Sequence, residues 1–127
     1  MGRKASLDYR NAESFVADRL EEAHWRILAR NYRSVGFELD IIAEKGKTLA
    51  IIEVKSRQTY LTIPTDLTRL VSGRKKQCLF KGTQHFLACS EDQWDTIRFD
   101  LALVEQKGPG LNPPVLRYFV GFLTPFE

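Results

Sequence analysis

Acidic residues and a lysine interrupt two apolar segments within residues 36–57, "GFELDIIAEKGKTLAIIEVKSR". Side chains alternate between the two faces of a β-strand, so Glu53 and Lys55 share one face of the second segment. That segment is apolar on both faces, as in a central strand covered from both sides. An uncompensated carboxylate buried there costs on the order of several kcal/mol. The sequence therefore predicts that a cation or hydrogen bonds compensate these charges.

A tight turn marked by Gly46 predicts that the two segments form a β-hairpin. If the hairpin register brings Asp40 near Glu53, the two carboxylates repel unless a proton or a positive ion lies between them. Oxygen ligands favour a hard cation such as Mg²⁺ or Mn²⁺. Lys55 lies two residues beyond Glu53 on the same face, where its ammonium group could hold a water molecule or a phosphate oxygen against the metal.

Strict alternation along the first segment places Glu38, Asp40 and Ile42 on one face. Leu39 and Ile41 then share the opposite face. A simpler interpretation has the acids on an exposed face, with the acid and lysine of the next strand solvating its end. Each acid spacing alone fits that simpler interpretation. The two spacings together, on adjacent apolar strands, favour the metal site.

Charged residues also lie on each of two predicted helices. Residues 12–24 carry apolar side chains at helical spacing after Asn11, a suitable N-cap, and Glu13 falls on the apolar stripe. An acid there lies either at the solvent edge of the stripe or against something positive. A second helix is predicted over residues 72–89, and its first turn is basic despite the unfavourable helix dipole. Phosphate binding explains these basic residues, and a solvated basic turn explains them equally well: Arg74, Lys75 and Lys76.

The remaining segments complete an α/β pattern with a mixed central β-sheet flanked by α-helices. Gly82 inside the second helix is expected to allow close packing on the sheet. We predict a single domain over residues 1–127 that begins with a polar arm, residues 1–10. The other predicted segments are an extended stretch at 25–33, a loop at 58–66, a helical turn at 67–71, a strand at 96–105, a loop at 107–114 and a last strand at 115–123, antiparallel to its predecessor.

Composition restricts the class of protein without choosing a function. The 127 residues are 43% hydrophobic and 28% charged, as in ordinary globular proteins, and the net charge of +3 permits nucleic acid as a partner without requiring it. Cys78 and Cys89 form neither a Cys-x-x-Cys pair nor a disulfide framework, which predicts a reducing, cytoplasmic location. With His24 and His85 as the two histidines, zinc is disfavoured. No apolar run is long enough to span a membrane.

Six short motifs occur along the chain in this order: "AESFVADRL", "RILARNYR", "ELD", "EVKSR", "KKQCL…HFL" and "RFDLALV". Their order and spacing resemble those of the YraN-like family of uncharacterised bacterial proteins. That family is related to the PD-(D/E)XK endonuclease superfamily and its Holliday-junction-resolvase branch. The similarity runs nearly end to end. Typical members carry a glycine directly before the Glu-x-Asp acids and another after the first helix, where this chain has Phe37 and His24.

The resemblance implies a restriction-endonuclease-like core and metal-dependent hydrolysis of phosphodiester bonds in DNA. It implies Asp40 and Glu53 as ligands of Mg²⁺ or Mn²⁺, with Lys55 as the lysine of the superfamily motif. Glu13 would be the helix acid that some members add to the metal site and the catalytic set, and Glu38 is a further acid of the Glu-x-Asp pattern. The residues implied in nucleic-acid binding are Arg57, Arg74, Lys75, Lys76 and Gln77.

The implied substrate is structured or branched DNA, and RNA remains open. The resemblance also allows a symmetric homodimer that makes paired cuts, or a protein partner needed for activity. Two other functions remain open at this point. One is a nucleic-acid-binding module of the same fold without catalysis, and the other is a protein-interaction domain that uses apolar surface near "VLRYFVGFL", residues 115–123.

Overall fold

Two α-helices pack on opposite faces of a five-stranded sheet in the computed structural model, which describes residues 11–57, 63–106 and 114–124. The predicted arm 1–10 and most of the predicted loops 58–66 and 107–114 lie outside the described residues. The elements are α1 (Ala12–Glu22), β1 (Arg26–Ser34), β2 (Phe37–Lys45), β3 (Thr48–Arg57), a 3-10 helix (Leu67–Leu70), α2 (Gly73–Ala88), β4 (Thr96–Glu105) and β5 (Val115–Leu123).

The sheet has the strand order β1-β2-β3-β4-β5. β3 and β4 are parallel, and the other neighbouring pairs are antiparallel. The β2–β3 hairpin turns at Gly46, whose φ of +62° suits glycine. This arrangement confirms the predicted α/β class with a mixed sheet and is consistent with a restriction-endonuclease-like core. β3 lies in the centre of the sheet and is buried on both faces, as its apolar sequence predicted.

α1 begins as predicted, because the side chain of Asn11 accepts a hydrogen bond from the backbone N–H of Ser14. It ends two residues earlier than predicted, at Glu22. His24 then adopts a φ of +72°, the left-handed conformation that a glycine adopts at lower cost, and the N–H of Trp25 donates to the carbonyl of Leu20. The buried face of α1 packs on one side of the sheet, against a core made by Ile41, Ala43, Ala50, Ile52, Ala102 and Val104.

α2 packs against the other side of the sheet. Ser72 caps it by accepting a hydrogen bond from the N–H of Lys75 at 3.0 Å. A Cβ atom at Gly82 would lie 2.9 Å from side-chain atoms of Leu39 and Phe37, so only glycine permits this distance between helix and strand. The close packing predicted for Gly82 is therefore confirmed. The core on this side includes Leu39, Ile42, Leu49, Ile51, Leu79, Phe99, Leu101 and Leu103.

The alternation of side chains along β2 is interrupted at Asp40. Leu39 and Ile42 belong to the core beneath α2, whereas Ile41 and Ala43 belong to the core beneath α1. The prediction that Leu39 and Ile41 share a face is therefore wrong. The physical reason is that β2 leaves its pairing with β3 at this point, so the strict period of two does not continue through Asp40.

Cys78, partly buried on α2, and Cys89, exposed at its C-terminal cap, are free thiols. Within the described ranges, neither helix is both long enough and apolar enough to cross a membrane.

Candidate active site

β2 and β3 stop pairing where the acidic residues begin. Their last paired residues are Ile41 and Ile52, so Asp40 and Glu53 take the next opposing positions. Here the backbone N–H of Val54 donates to Oδ2 of Asp40 at 2.9 Å. The carboxylate of Asp40 thereby lies between the diverging strands, with its side chain buried. The register of the hairpin thus meets the condition for a site between the two strands, because it brings Asp40 near Glu53.

Glu53 is the more deeply buried of these two acids, with 4% of its surface exposed. Its Oε1 atom accepts no hydrogen bond from the described residues, and Nζ of Lys75 lies 3.4 Å from that atom. Burial first, and then the negative charge of Asp40, raise the pKa of Glu53 to about 7, although the ammonium groups of Lys75 and Lys55 oppose the shift. Without a further cation, Glu53 therefore holds a proton for a large part of the time near neutral pH.

Glu13 approaches the same acids from α1. Burial raises the pKa of Glu13, and the charge of Asp40 and a hydrogen bond to its carboxylate raise it further. Glu13 is half-buried, and both the carboxylate of Asp40 and the guanidinium group of Arg30 lie within electrostatic reach of it. The guanidinium group of Arg30 opposes the shift and donates a hydrogen bond to Oγ of Ser14 at 3.0 Å.

Lys55 and Glu38 lie next to this group. Lys55 is half-buried on the face that also carries Glu53, and its charge lowers the pKa of Glu53. Glu38 is half-buried, and its negative charge contributes to the raised pKa of Glu13. Its backbone carbonyl accepts a hydrogen bond from Nζ of Lys75 at 3.4 Å. The acids and the lysine singled out from the sequence thus lie within electrostatic reach of one another.

Of the residues predicted to bind nucleic acid, Lys75 is the one brought to the acids. It lies one helical turn before Leu79 and two turns before Gly82, on the buried stripe of α2. This spacing could have distinguished Lys75 from its basic neighbours in the sequence. The others make no hydrogen bond or ion pair to Asp40 or Glu53 within the part of the chain that the structure describes: Arg57, Arg74, Lys76 and Gln77.

Arg30 is a residue of this site that the sequence did not indicate. It lies on β1, an edge strand that also carries Arg26 and Arg33. The pairing of β1 with β2 shifts between Ile27 and Ala29, so alternation along β1 does not reveal which arginine faces Glu13. The extended pattern of this segment therefore does not indicate the direction of its arginine side chains.

The donor set suits a hard divalent cation. All the acidic groups offer carboxylate oxygens, and Oε1 of Glu53 is buried without a hydrogen bond among the described residues. Across residues 11–57, 63–106 and 114–124, no three His, Cys, Asp or Glu side chains are close enough to form a metal site by themselves. Mg²⁺ typically takes one or two carboxylates and completes its shell with water and substrate phosphate oxygens. Asp40 and Glu53 fit that requirement, with Glu13 next to Asp40.

Sequence comparisons place these residues in a family. The Uncharacterised protein family UPF0102 matches residues 12–104, a range that contains every acid and lysine of the site. A UPF0102 protein of Nitratidesulfovibrio vulgaris is 41% identical over 100 residues, which cover 77% of this chain and 72% of that protein. A second, of Granulibacter bethesdensis, is 35% identical over 109 residues, covering 84% of this chain and 66% of that protein. A third, of a Synechococcus species, is 38% identical over 99 residues, covering 77% and 74%. The chain therefore belongs to the UPF0102, or YraN-like, family, as its motifs predicted.

Proposed function

We propose that this protein is a metal-dependent nuclease that hydrolyses phosphodiester bonds in DNA. One observation carries the proposal: Asp40 and Glu53 are buried next to each other at the divergence of β2 and β3, and Oε1 of Glu53 accepts no hydrogen bond from the described residues. Burying two such charges without compensation costs on the order of several kcal/mol. A divalent cation between them removes that cost, so the arrangement is explained by metal binding better than by stability.

Asp40 and Glu53 would hold the cation through their carboxylate oxygens. When bound, Mg²⁺ or Mn²⁺ supplies Lewis-acid polarisation of a phosphate oxygen and a lowered pKa for water. Lys55, on the same face as Glu53, is placed to stabilise the negative charge that develops on the phosphate during hydrolysis. Glu13 lies beside Asp40 and its pKa is raised, so its carboxyl group would hold or release a proton beside the reacting groups.

Exposed basic side chains near the site suit the phosphates of the substrate. Arg57 is the last residue of the strand that carries Glu53 and Lys55, and Arg74 lies in the first turn of the helix that carries Lys75. Both are exposed, and Arg30 is exposed beside Glu13. Contacts of this kind bind nucleic acid in a salt-dependent and sequence-independent way. We therefore propose recognition of shape rather than base sequence, with branched DNA as the first substrate to test.

The test is cleavage of labelled four-way junction, flap, duplex and single-stranded DNA, and of single-stranded RNA, with Mg²⁺ or Mn²⁺. Asp40→Ala and Glu53→Ala are compared with Asp92→Ala, which removes an exposed acid from the loop before β4. We expect wild type and Asp92→Ala to cut at least one substrate. Each site variant should cut more slowly by a factor of more than about one hundred, because each removes a proposed metal ligand.

Other outcomes of the cleavage experiment would favour one of the two alternative functions. Salt-dependent DNA binding that survives in Asp40→Ala and Glu53→Ala, without cleavage by any form, would indicate a binding module of this fold. Absence of both binding and cleavage would favour a protein-interaction domain, whose first candidate surface is β5 with exposed Val115 and Val120. Sedimentation of the same samples with junction DNA tests the homodimer.

A further inference from the structure

Lys75 reaches from α2 to the buried acids and makes two contacts there. Its Nζ atom lies 3.4 Å from Oε1 of Glu53 and donates to the backbone carbonyl of Glu38, also at 3.4 Å. Its side chain is 26% exposed, against 5% for the side chain of Glu53. The ammonium group therefore lies at the border between the buried carboxylate and solvent.

The position of Lys75 is unfavourable for the helix that carries it. A cation in the first turn opposes the helix dipole, and its backbone N–H is already capped by Ser72. Lys75 also lies on the stripe that faces the sheet, with Leu79 and Gly82. Neither capping nor packing calls for an ammonium group at this place. The charge of Glu53 does.

The contact between Lys75 and Glu53 is loose. Charge-assisted hydrogen bonds between nitrogen and carboxylate oxygen are usually about 2.7–2.9 Å long. At 3.4 Å, the ammonium group attracts Oε1 without binding it tightly, and that oxygen still accepts no hydrogen bond among the described residues. A divalent cation that binds Oε1 would be repelled by an ammonium group so close to it. Lys75 and the metal therefore need the same oxygen.

We propose that Lys75 is an exchangeable internal cation: it pairs with the carboxylate of Glu53 in the metal-free protein and is displaced when a divalent ion binds. This inference rests on the proposed function, because it requires that Asp40 and Glu53 take a metal. Lys75 is here a positioning residue. It stabilises the metal-free fold and lowers the affinity for metal.

The test compares Lys75→Met with Lys76→Met, the same change one residue further along α2, at a half-buried lysine that makes no ion pair with the acids. Urea unfolding in EDTA measures the stability of the metal-free protein, and titration calorimetry measures Mn²⁺ binding. For Lys75→Met we expect a lower urea midpoint and Mn²⁺ binding about tenfold tighter, a change that corresponds to about 1.4 kcal/mol. Lys76→Met should match wild type in both measurements.

Two further variants separate the charge of Lys75 from its packing. In a Glu53→Gln background, Lys75→Met should produce little further loss of metal-free stability, because the charge that it neutralises is already gone. Lys75→Arg keeps a cation and should keep both the metal-free stability and the weaker Mn²⁺ affinity. If Lys75→Met does not fold, Lys75→Gln gives the same comparison with a polar side chain.

The outcomes distinguish this inference from the proposed function. If wild type binds Mn²⁺, Asp40→Ala abolishes the binding and Lys75→Met binds with equal or weaker affinity, the exchange is wrong and the metal site stands. If Mn²⁺ binds neither wild type nor Lys75→Met, both proposals fail. Tighter binding by Lys75→Met that Asp40→Ala abolishes in the double variant supports both.

Discussion

Two buried aspartates lie at interruptions in the ladder of this sheet, and their surroundings differ. Asp100 lies where the pairing of β4 with β5 shifts, and it is fully buried. Nε of Arg98 donates to both carboxylate oxygens of Asp100, each at 3.1 Å. The hydroxyl group of Tyr118 donates to it at 2.6 Å, and the backbone N–H of Gly121 donates at 2.9 Å. Asp100 thus replaces the ladder bonds that the shift removes.

Asp40 performs the same backbone task where β2 leaves β3, by accepting the N–H of Val54. Its neighbours differ. Glu13 and Glu53 repel it, and the nearest ammonium group to Glu53 is the loosely held Lys75. A buried acid alone therefore does not indicate function. An acid whose hydrogen bonds are complete stabilises the fold, and an acid pair with an open oxygen has capacity for a ligand.

The largest effect on stability is expected when Asp100, the acid with complete hydrogen bonds, loses its charge. Asp100→Asn leaves the guanidinium group of Arg98 without its carboxylate and disturbs the bond from Tyr118. Breaking a buried pair in this way costs about 3–5 kcal/mol. Urea unfolding measures the loss, with Asp40→Asn as the control at the other interruption. An equal or larger loss for Asp40→Asn would contradict the distinction between the two acids.

The second effect is a loss of folding stability as pH rises. It comes from Glu53 in the buried Asp40–Glu53 pair. The pKa of Glu53 is raised from 4.5 to about 7, so between these values the folded protein binds more protons than the unfolded chain. The metal-free protein should therefore lose stability from pH 4.5 to 7, by about 3 kcal/mol from this group. Unfolding in EDTA across this pH range measures the loss.

Glu53→Gln should remove most of that pH dependence, and saturating Mn²⁺ should suppress it in wild type. A wild-type stability that rises over the same range, or a slope unchanged by Glu53→Gln, would show that Glu53 is compensated as completely as Asp100.

The smallest effect concerns the helix that carries Lys75. Gly82→Ala places a methyl group 2.9 Å from Leu39 and Phe37. Overpacking of this kind costs about 1–3 kcal/mol, and better helix propensity returns up to about 1 kcal/mol. A net loss of about 1–2 kcal/mol is expected in urea unfolding. Gly73→Ala is the control, because nothing lies within 4 Å of its added Cβ.

Because Gly82→Ala moves α2 away from β2, it should also weaken the contact of Lys75 with Glu53. Lys75→Met should then cost less stability in that background than in wild type. The Asp100 network lies away from α2, and the loss caused by Asp100→Asn should be unchanged. Equal effects of Gly82→Ala on both acids would contradict the independence of the Asp100 network from α2.

Much of the fold could be predicted because local signals agreed with one another. Helical spacing and the caps Asn11 and Ser72 located both helices, and Gly46 fixed a two-residue turn in the β2–β3 hairpin. That turn sets the register of the hairpin, which in turn places Asp40 opposite Glu53. The core of the site was predictable for this reason: its two acids lie on one hairpin.

The remainder depended on tertiary contacts that no local pattern contains. The break in alternation at Asp40 arises because β2 parts from β3, and the position of Arg30 depends on the bulge in β1. No local pattern indicated a role for Asp100, since its partners come from the same strand and from β5. Lys75 could have been distinguished by its spacing from Leu79, but only once α2 was known to pack over the acids.

The placement of the helices has an evolutionary consequence. Glu13 reaches the acids from the face covered by α1, and Lys75 reaches them from the face covered by α2. The two residues are separated by the sheet, yet both act on the charge held between β2 and β3. Substitutions at these positions should therefore be epistatic: a relative that loses one acid changes the charge that its lysine must balance. In an alignment of the family, positions 13 and 75 should covary across the thickness of the sheet.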